Sequence, residues 1–350
     1  MNQISSLISP ARIAIVDPCC AAGYASQDLE KGGLGGTEAT ILRVASALRA
    51  HVDVTVYQNG RTEQQVSRAG PLRSLNDRRL EARQDAIVVI NRWKVALKLR
   101  KQHRDTPIFL WLHVYPGRHN RKMGAALKAA DVTVICVSRT HAEDLRHFLG
   151  PDNTPNIQVI YNPIDDNLRP DETTRNPDRL LFASSPHKGL AEVFCQFRTL
   201  RQHFPDLTLC VADPGYLNWE TGPVPEGVVF LGSLSHAALI RQMRRALCLF
   251  YPQTSFAETF GLVLAEANAV GTPVLVQEDL GANAEIVADP RQRVDGQDPD
   301  QILARIRAWR RAPMQVCANP EFRLSAVADA WIQVFKHATA PQKQMSEVSQ

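Results

Sequence analysis

Short apolar runs alternate with stretches whose apolar residues recur about every three or four positions, for most of the 350 residues. ARIAIVD (Ala11 to Asp17), DVTVY, AIVVI (Ala86 to Ile90), PIFLWLH (Pro107 to His113), DVTVICVS and IQVIYNPID (Ile157 to Asp165) read as strands buried on both faces of a parallel sheet. The spacing between them predicts helices that start near Thr37, run from Trp93 to His103, end at Ala130, and run from Arg139 to Leu149. Residues 167–179 (NLRPDETTRNPDR) are polar and contain Pro170 and Pro177, which predicts a linker. The alternation then resumes with RLLFASS, a helix from Gly189 to His203, LTLCVAD, VVFLG, a helix from Ser235 to Ala246, and LCLFYP. Repeated βα units form mainly parallel sheets covered on both faces. The expected fold class is therefore α/β, with two Rossmann-like doubly wound domains over residues 1–166 and 167–320 and a cleft between them. Helices over Gln301 to Arg311 and Glu321 to His337 follow, and residues 338–350 form a polar tail expected to be disordered.

One stretch concentrates the candidate chemistry: QTSFAETFGLVLAEANAVGTPVLVQEDLGANAEI, Gln253 to Ile286. Phe260 to Val270 reads as a helix with almost no polar face, hence a buried one. Inside it lies one acid, Glu266, with no Lys or Arg within a turn. A buried carboxylate needs hydrogen-bond donors, either from elsewhere in the fold or from a ligand rich in hydroxyls. Glu258 precedes it in the loop that opens the helix. Between the two acids, Phe260-Gly261 marks a helix start where backbone can approach a ligand and unpaired N–H groups favour an anion.

A second glycine-rich start, Gly32-Gly33-Leu34-Gly35-Gly36, ends the loop after the first strand. Its spacing is not G-x-G-x-x-G and no acid follows in the dinucleotide position, which argues against a nicotinamide cofactor. His113 ends a strand, where ligands of open α/β sheets collect.

Taken in order, Glu258 and Glu266 with seven residues between them, Gly261, the Gly271-Thr272-Pro273-Val274 turn, Gly281 and Glu285 resemble the donor-binding signature of family 4 (group 1) glycosyltransferases, retaining enzymes of the GT-B fold. The resemblance implies transfer of a sugar from a nucleoside-diphosphate sugar, UDP- or GDP-linked, to an acceptor hydroxyl with the anomeric configuration kept. It implies that Glu258 binds sugar hydroxyls, Glu266 the ribose, and the backbone at Phe260, Gly261 and Leu262 the diphosphate, with Thr259 and Ser184 also on the donor. Lys188-Gly189 resembles the family's Lys-Gly turn, where a Lys neutralises the departing diphosphate. Here the chain departs from the pattern: the Arg that many members carry a few residues earlier is replaced by Phe182, Ala183 and Ser184. Gly232-Ser233-Leu234 resembles the loop that meets the base, so Gly232 and Leu234 are carried over as donor-binding. Gly35-Gly36 with Glu38 resembles the glycine loop lining the cleft, and a catalytic role falls on His113. Asn162-Pro163-Ile164-Asp165 resembles the interdomain hinge, and the resemblance implies that the last helix crosses back to the first domain.

Other chemistry is poorly supported. Asp298-Pro299-Asp300 fits a helix N-cap better than a metal pair, and H-E-x-x-H, G-x-S-x-G and Cys/His clusters of ligand spacing are missing from the sequence, so no metal or other cofactor is expected. Seven cysteines, without a C-x-x-C pair, suggest reduced thiols and a cytoplasmic protein, with Cys19-Cys20 the exposed-looking pair.

The net charge is +4, yet Arg92 to Arg104 alone holds six basic residues and no acid, beside Trp93. Such a helix is either a solvated outer face or an anionic-membrane surface, the latter suiting a lipid-linked acceptor such as a lipopolysaccharide, glycolipid or polysaccharide precursor. Aromatics are too few for a nucleic-acid surface. A sugar-nucleotide 2-epimerase and a non-catalytic sugar-nucleotide-binding protein are the alternatives; the first would form product from donor alone, the second would bind donor without turnover.

Overall fold

The computed structural model describes residues 10–75, 80, 83–213, 215 and 219–339. Its N-terminal strands are β1 (Arg12–Asp17), β2 (Asp53–Gln58), β3 (Gln65–Ser67), β4 (Gly70–Ser74), β5 (Ala86–Ile90), β6 (Ile108–Leu112), β7 (Val132–Cys136) and β8 (Ile157–Val159). They form one sheet of order β3-β4-β2-β1-β5-β6-β7-β8, parallel except for the β3–β4 pair. Helices α1 (Asp28–Lys31), α2 (Gly36–Leu48), α3 (Trp93–Gln102), α4 (Met123–Ala129) and α5 (Arg139–Leu149) connect them. The apolar runs are buried on both sides because successive strand residues face opposite ways. Ile13 and Ile15 join a core with Leu42 of α2, whereas Ala14 and Val16 join another with Leu99 of α3 and Leu145 of α5.

The second sheet contains β9 (Asn176–Ala183), β10 (Thr208–Ala212), β11 (Val228–Phe230), β12 (Ala246–Tyr251), β13 (Val274–Gln277) and β14 (Arg293–Val294), in the order β11-β10-β9-β12-β13-β14. Its recorded pairings are parallel. Helices α6 (Leu190–His203), α7 (His236–Arg245), α8 (Leu262–Ala269), α9 (Asn283–Ile286) and α10 (Pro299–Arg311) belong to this half. The final helix, α11 (Leu324–Thr339), lies against α2 and β5 of the first sheet. Trp331 places its ring 4.9 Å from Trp111 and 6.5 Å from Phe109, so the end of the chain covers the core that its first strand begins. Two doubly wound α/β layers thus face each other, as the alternation predicts.

Several element limits differ from the sequence reading, each for a local reason. The linker ends earlier than expected, because Asn176 to Arg179 already belong to β9. Helix α8 begins at Leu262 rather than Phe260, since Gly261 is left-handed (φ 84°) and acts as N-cap. Asp298 caps α10 by accepting hydrogen bonds from the N–H groups of Asp300 and Gln301, with Pro299 in the first turn. The last helix starts at Leu324, because Asn319 caps a separate 3-10 turn over Pro320–Phe322. It continues through residues 338 and 339, and the rest of the expected tail, 340–350, lies outside the described residues. All seven cysteines are free; Cys20 is buried, whereas Cys195 and Cys317 are exposed along with Cys19. Among the described residues no helix is long and apolar enough to cross a membrane.

Candidate functional site

The carboxyl ends of β1 and β6 face the ends of β9 and β12 across a cavity of about 1360 Å³. Most of the candidate residues meet on its wall: Gly35, Gly36 and His113 from the first half, and Ser184, Lys188, Leu234, Glu258, Thr259, Phe260, Gly261, Leu262 and Glu266 from the second. Gly232 is the exception. It is a left-handed turn residue (φ 67°) outside the wall, and a Cβ added to it would meet nothing within 4 Å.

Lys188 and Glu258 form the centre. The Lys188 ammonium donates to both carboxylate oxygens of Glu258, at 2.8 and 3.1 Å, and the Tyr251 hydroxyl donates to Oε1 at 3.1 Å. The same ammonium stands 4.6 Å over the Phe256 ring. This geometry is held by backbone constraints on both sides. Gly189, left-handed at φ 84°, caps α6 so closely that an added Cβ would lie 2.4 Å from the Gln253 side chain. Gln253 in turn accepts hydrogen bonds from the N–H groups of Ser255 and Phe256, which folds the loop leading to Glu258. Glu192 of α6 accepts from Thr254 N and Oγ1 and ties the loop to that helix.

The start of α8 presents N–H groups that no helix can satisfy internally. A Cβ on Gly36 would sit 3.4 Å from Leu262 Cδ1, so the glycine loop of the first domain abuts this helix start. Phe260 is fully buried with its ring against Phe322 and Tyr161, which leaves only its backbone for a ligand. Thr259 bridges the halves instead: its hydroxyl donates to the His113 carbonyl at 2.8 Å, and its own carbonyl accepts from Ser138 Oγ at 2.7 Å. Ser184 and Leu234 contribute wall surface.

Glu266 is not the unpartnered acid that its neighbours in sequence suggest. Oε1 accepts from His236 Nε2 at 2.8 Å and from the Arg43 guanidinium at 3.3 Å. Burial by itself would raise its pKa, but the hydrogen bond and charge of His236 and the charge of Arg43 hold the carboxyl below the usual carboxylate range. Arg43 comes from α2, on the opposite side of the cleft, and 223 positions separate the pair.

His113 is buried, and its imidazole is pushed down to about 3 by desolvation and by His141. It is therefore neutral near pH 7, and its Nε2 has no partner among the described residues. Asn91 Oδ1 accepts from its backbone N–H at 2.7 Å and fixes the strand end.

Glu285, seen in the sequence only as part of a run of residues, ties the two halves together away from the cavity wall. Oε1 accepts from Arg139 N and the Tyr161 hydroxyl, each at 2.9 Å, and Oε2 accepts from Thr140 N and Oγ1, each at 2.8 Å. A carboxylate of the second half thus caps α5 of the first, where helix N–H groups favour negative charge.

The basic segment is regrouped by the fold. Arg100 turns inward and donates to the carbonyls of Ala130, His103, Arg104, Thr106 and Asp131, so it is a structural clamp. Trp93 Nε1 donates to Asn120 Oδ1 at 3.0 Å, which brings Arg118, Arg121 and Lys122 beside the exposed Arg92, Lys94, Lys98 and Lys101. The sequence from residue 86 to 130 contains one acid, Asp105, so this face is almost free of negative charge.

Known proteins resemble this chain in part of its sequence and in its fold. The family described as Glycosyl transferases group 1 matches residues 175–317. A glycogen synthase of Mycobacterium tuberculosis is 28% identical over 278 residues, a match that covers 69% of this chain and 66% of that protein, just under two thirds of its length. A phosphatidyl-myo-inositol mannosyltransferase of the same species is 35% identical over 107 residues, which are 30% of this chain and 28% of the mannosyltransferase. Among solved structures, AviGT4, a glycosyltransferase involved in avilamycin A biosynthesis, superimposes with a TM-score of 0.59 at 18% identity, covering 95% of this chain and 99% of that one. Such a likeness shows the GT-B fold. The family match thus lies in the second half of the chain, residues 175–317, and the likeness over the rest is one of fold.

Proposed function

We propose that the protein is a retaining, family 4, hexosyltransferase-like enzyme that moves a sugar from a nucleoside-diphosphate sugar to an acceptor hydroxyl. The observation that carries this reading is the Lys188–Glu258 pair beside the start of α8, in a cleft roofed by the glycine loop. On this reading the N–H groups at Gly261 and Leu262 and the Lys188 ammonium receive the diphosphate, and Glu258 holds the sugar hydroxyls. Positive charge and helix dipole already placed where the leaving group develops charge stabilise the transition state without reorganisation, so no metal is required. Glu266 binds the ribose through Oε2, since Oε1 already has donors. Neutral His113 exchanges a hydrogen bond with a sugar hydroxyl instead of contributing charge. Thermal shift with UDP-, GDP-, ADP- and CMP-sugars, followed by assay of donor consumption, tests the proposal. One class should raise Tm and be turned over; no shift with any class would remove the reading.

On the acceptor side, the proposal is a lipid-linked saccharide reached at the membrane surface. It is supported by the nearly acid-free face of α3 and the Arg118 to Lys122 segment, each exposed Lys or Arg near an anionic leaflet contributing about 1 kcal/mol. The mannosyltransferase relative is named for a lipid acceptor. The protein should sediment with phosphatidylglycerol vesicles at low salt and be released as salt rises. Equal sedimentation with phosphatidylcholine, or none with either, would count against the lipid acceptor.

A further inference from the structure

The turn after β9 offers one Lys, Lys188, and no Arg, because Phe182, Ala183 and Ser184 occupy the segment before it. A diphosphate at the α8 start would therefore be under-neutralised by the second domain alone. The Lys and Arg residues on the described cavity wall are Lys31, Arg43 and Lys188. Lys31 is largely exposed and paired with Asp28 at 3.0 Å. Arg43 is different in kind, being only 13% exposed.

Its position points toward the helix start. Side chains of an α-helix lean toward the helix N-terminus, so the Arg43 stem runs back along α2 toward Gly36, which abuts Leu262. Among the described residues the guanidinium makes one hydrogen bond, to Glu266 Oε1. At 3.3 Å that bond is long for a charge-assisted contact, whose usual range is about 2.7–2.9 Å. The same oxygen keeps a shorter bond to His236, at 2.8 Å. Glu266 thus retains a donor if Arg43 leaves, and Arg43 has donors in excess of its partners.

We infer that Arg43 is a donor-binding residue supplied by the first domain: it exchanges Glu266 for the donor's diphosphate and provides the second positive charge that the β9 turn lacks. This rests on the glycosyltransferase reading above. Because Arg43 and Lys188 come from opposite domains, the diphosphate would be gripped from both sides and donor binding would hold the cleft closed.

The test is calorimetric titration of the full chain, wild type, Arg43→Gln and Arg43→Lys, with UDP, GDP, ADP and CDP. The best-bound diphosphate is then compared with its monophosphate and its nucleoside. Loss of one charge-assisted contact is expected to weaken the diphosphate by about tenfold or more in Arg43→Gln, with the nucleoside changed by less than about twofold. Arg43→Lys should keep part of the diphosphate affinity. His236→Gln should weaken nucleoside and diphosphate alike, because it acts through Glu266. If Arg43→Gln weakens all three ligands equally, or leaves the diphosphate unchanged, the assignment is overturned. Wild-type protein that binds none of the diphosphates would sink the glycosyltransferase reading, and this assignment with it.

Discussion

Glu258→Gln is expected to lower glycosyl transfer by about 10³-fold, the scale on which removal of a preorganised charge at a reacting centre is felt. The amide has nearly the volume of the carboxylate and can still accept from the Tyr251 hydroxyl. It cannot keep both bonds from Lys188, since one of its two ends is now a donor facing an ammonium. Two defects follow from one atom: the sugar loses a charged acceptor, and Lys188 loses the anchor that aims it at the leaving diphosphate. The fold should survive, because Lys188 retains 23% side-chain exposure and can turn to water, unlike a fully buried orphan. Initial rates with the identified donor, read beside Tm, check this. A variant with unchanged Tm and transfer within tenfold of wild type would remove Glu258 from the reaction.

The second-domain wall of the cleft was more legible in the sequence than its wiring. Strand β5 is apolar at every buried position and β1 at all but its final Asp17, because helices cover both faces of the sheet, and that leaves an unmistakable run. The β3–β4 pair leaves none, since an edge ribbon built of Gln65-Val66-Ser67 and Gly70 to Ser74 has little surface to bury. Gly261 and Gly189 were readable as helix starts, and both adopt conformations that favour glycine. The partners of Glu266 were not readable: His236 lies 30 positions away and Arg43 223, and only the meeting of two domains brings them to one oxygen. Nor can sequence say which way Thr259 and Phe260 point. The first bonds the opposite domain and the second enters the core, although both lie inside the same short motif. Arg100 shows the converse: six basic residues in a row of thirteen look alike until one of them is found holding five carbonyls.

Gly281→Ala should be the most damaging substitution of a residue that touches no substrate. Gly281 adopts φ 52°, and an added Cβ would lie 2.5 Å from the carbonyl oxygen of Glu258 and 2.9 Å from its nitrogen. Both are backbone atoms, so no rotamer change relieves the contact. The two loops are also tied together, Ala282 N donating to Glu258 O at 2.9 Å, which means that the Glu258 peptide must move or the bond must break. Left-handed backbone costs an alanine about 1 kcal/mol and overpacking adds about 1–3 kcal/mol, enough to lower Tm by several degrees. A displacement of about 1 Å at a group that positions substrate is expected to lower transfer about 10²-fold. Gly150→Ala is the control: its φ is positive too (77°, with ψ 159°), but its added Cβ would meet nothing within 4 Å. It should lose about 1–3 kcal/mol of stability, the cost of a backbone region kept by glycine, and keep its activity. If Gly281→Ala behaves like Gly150→Ala, with a small loss of Tm and normal transfer, then the position of the Glu258 peptide does not govern the reaction, and the contact between the two loops is only a matter of packing.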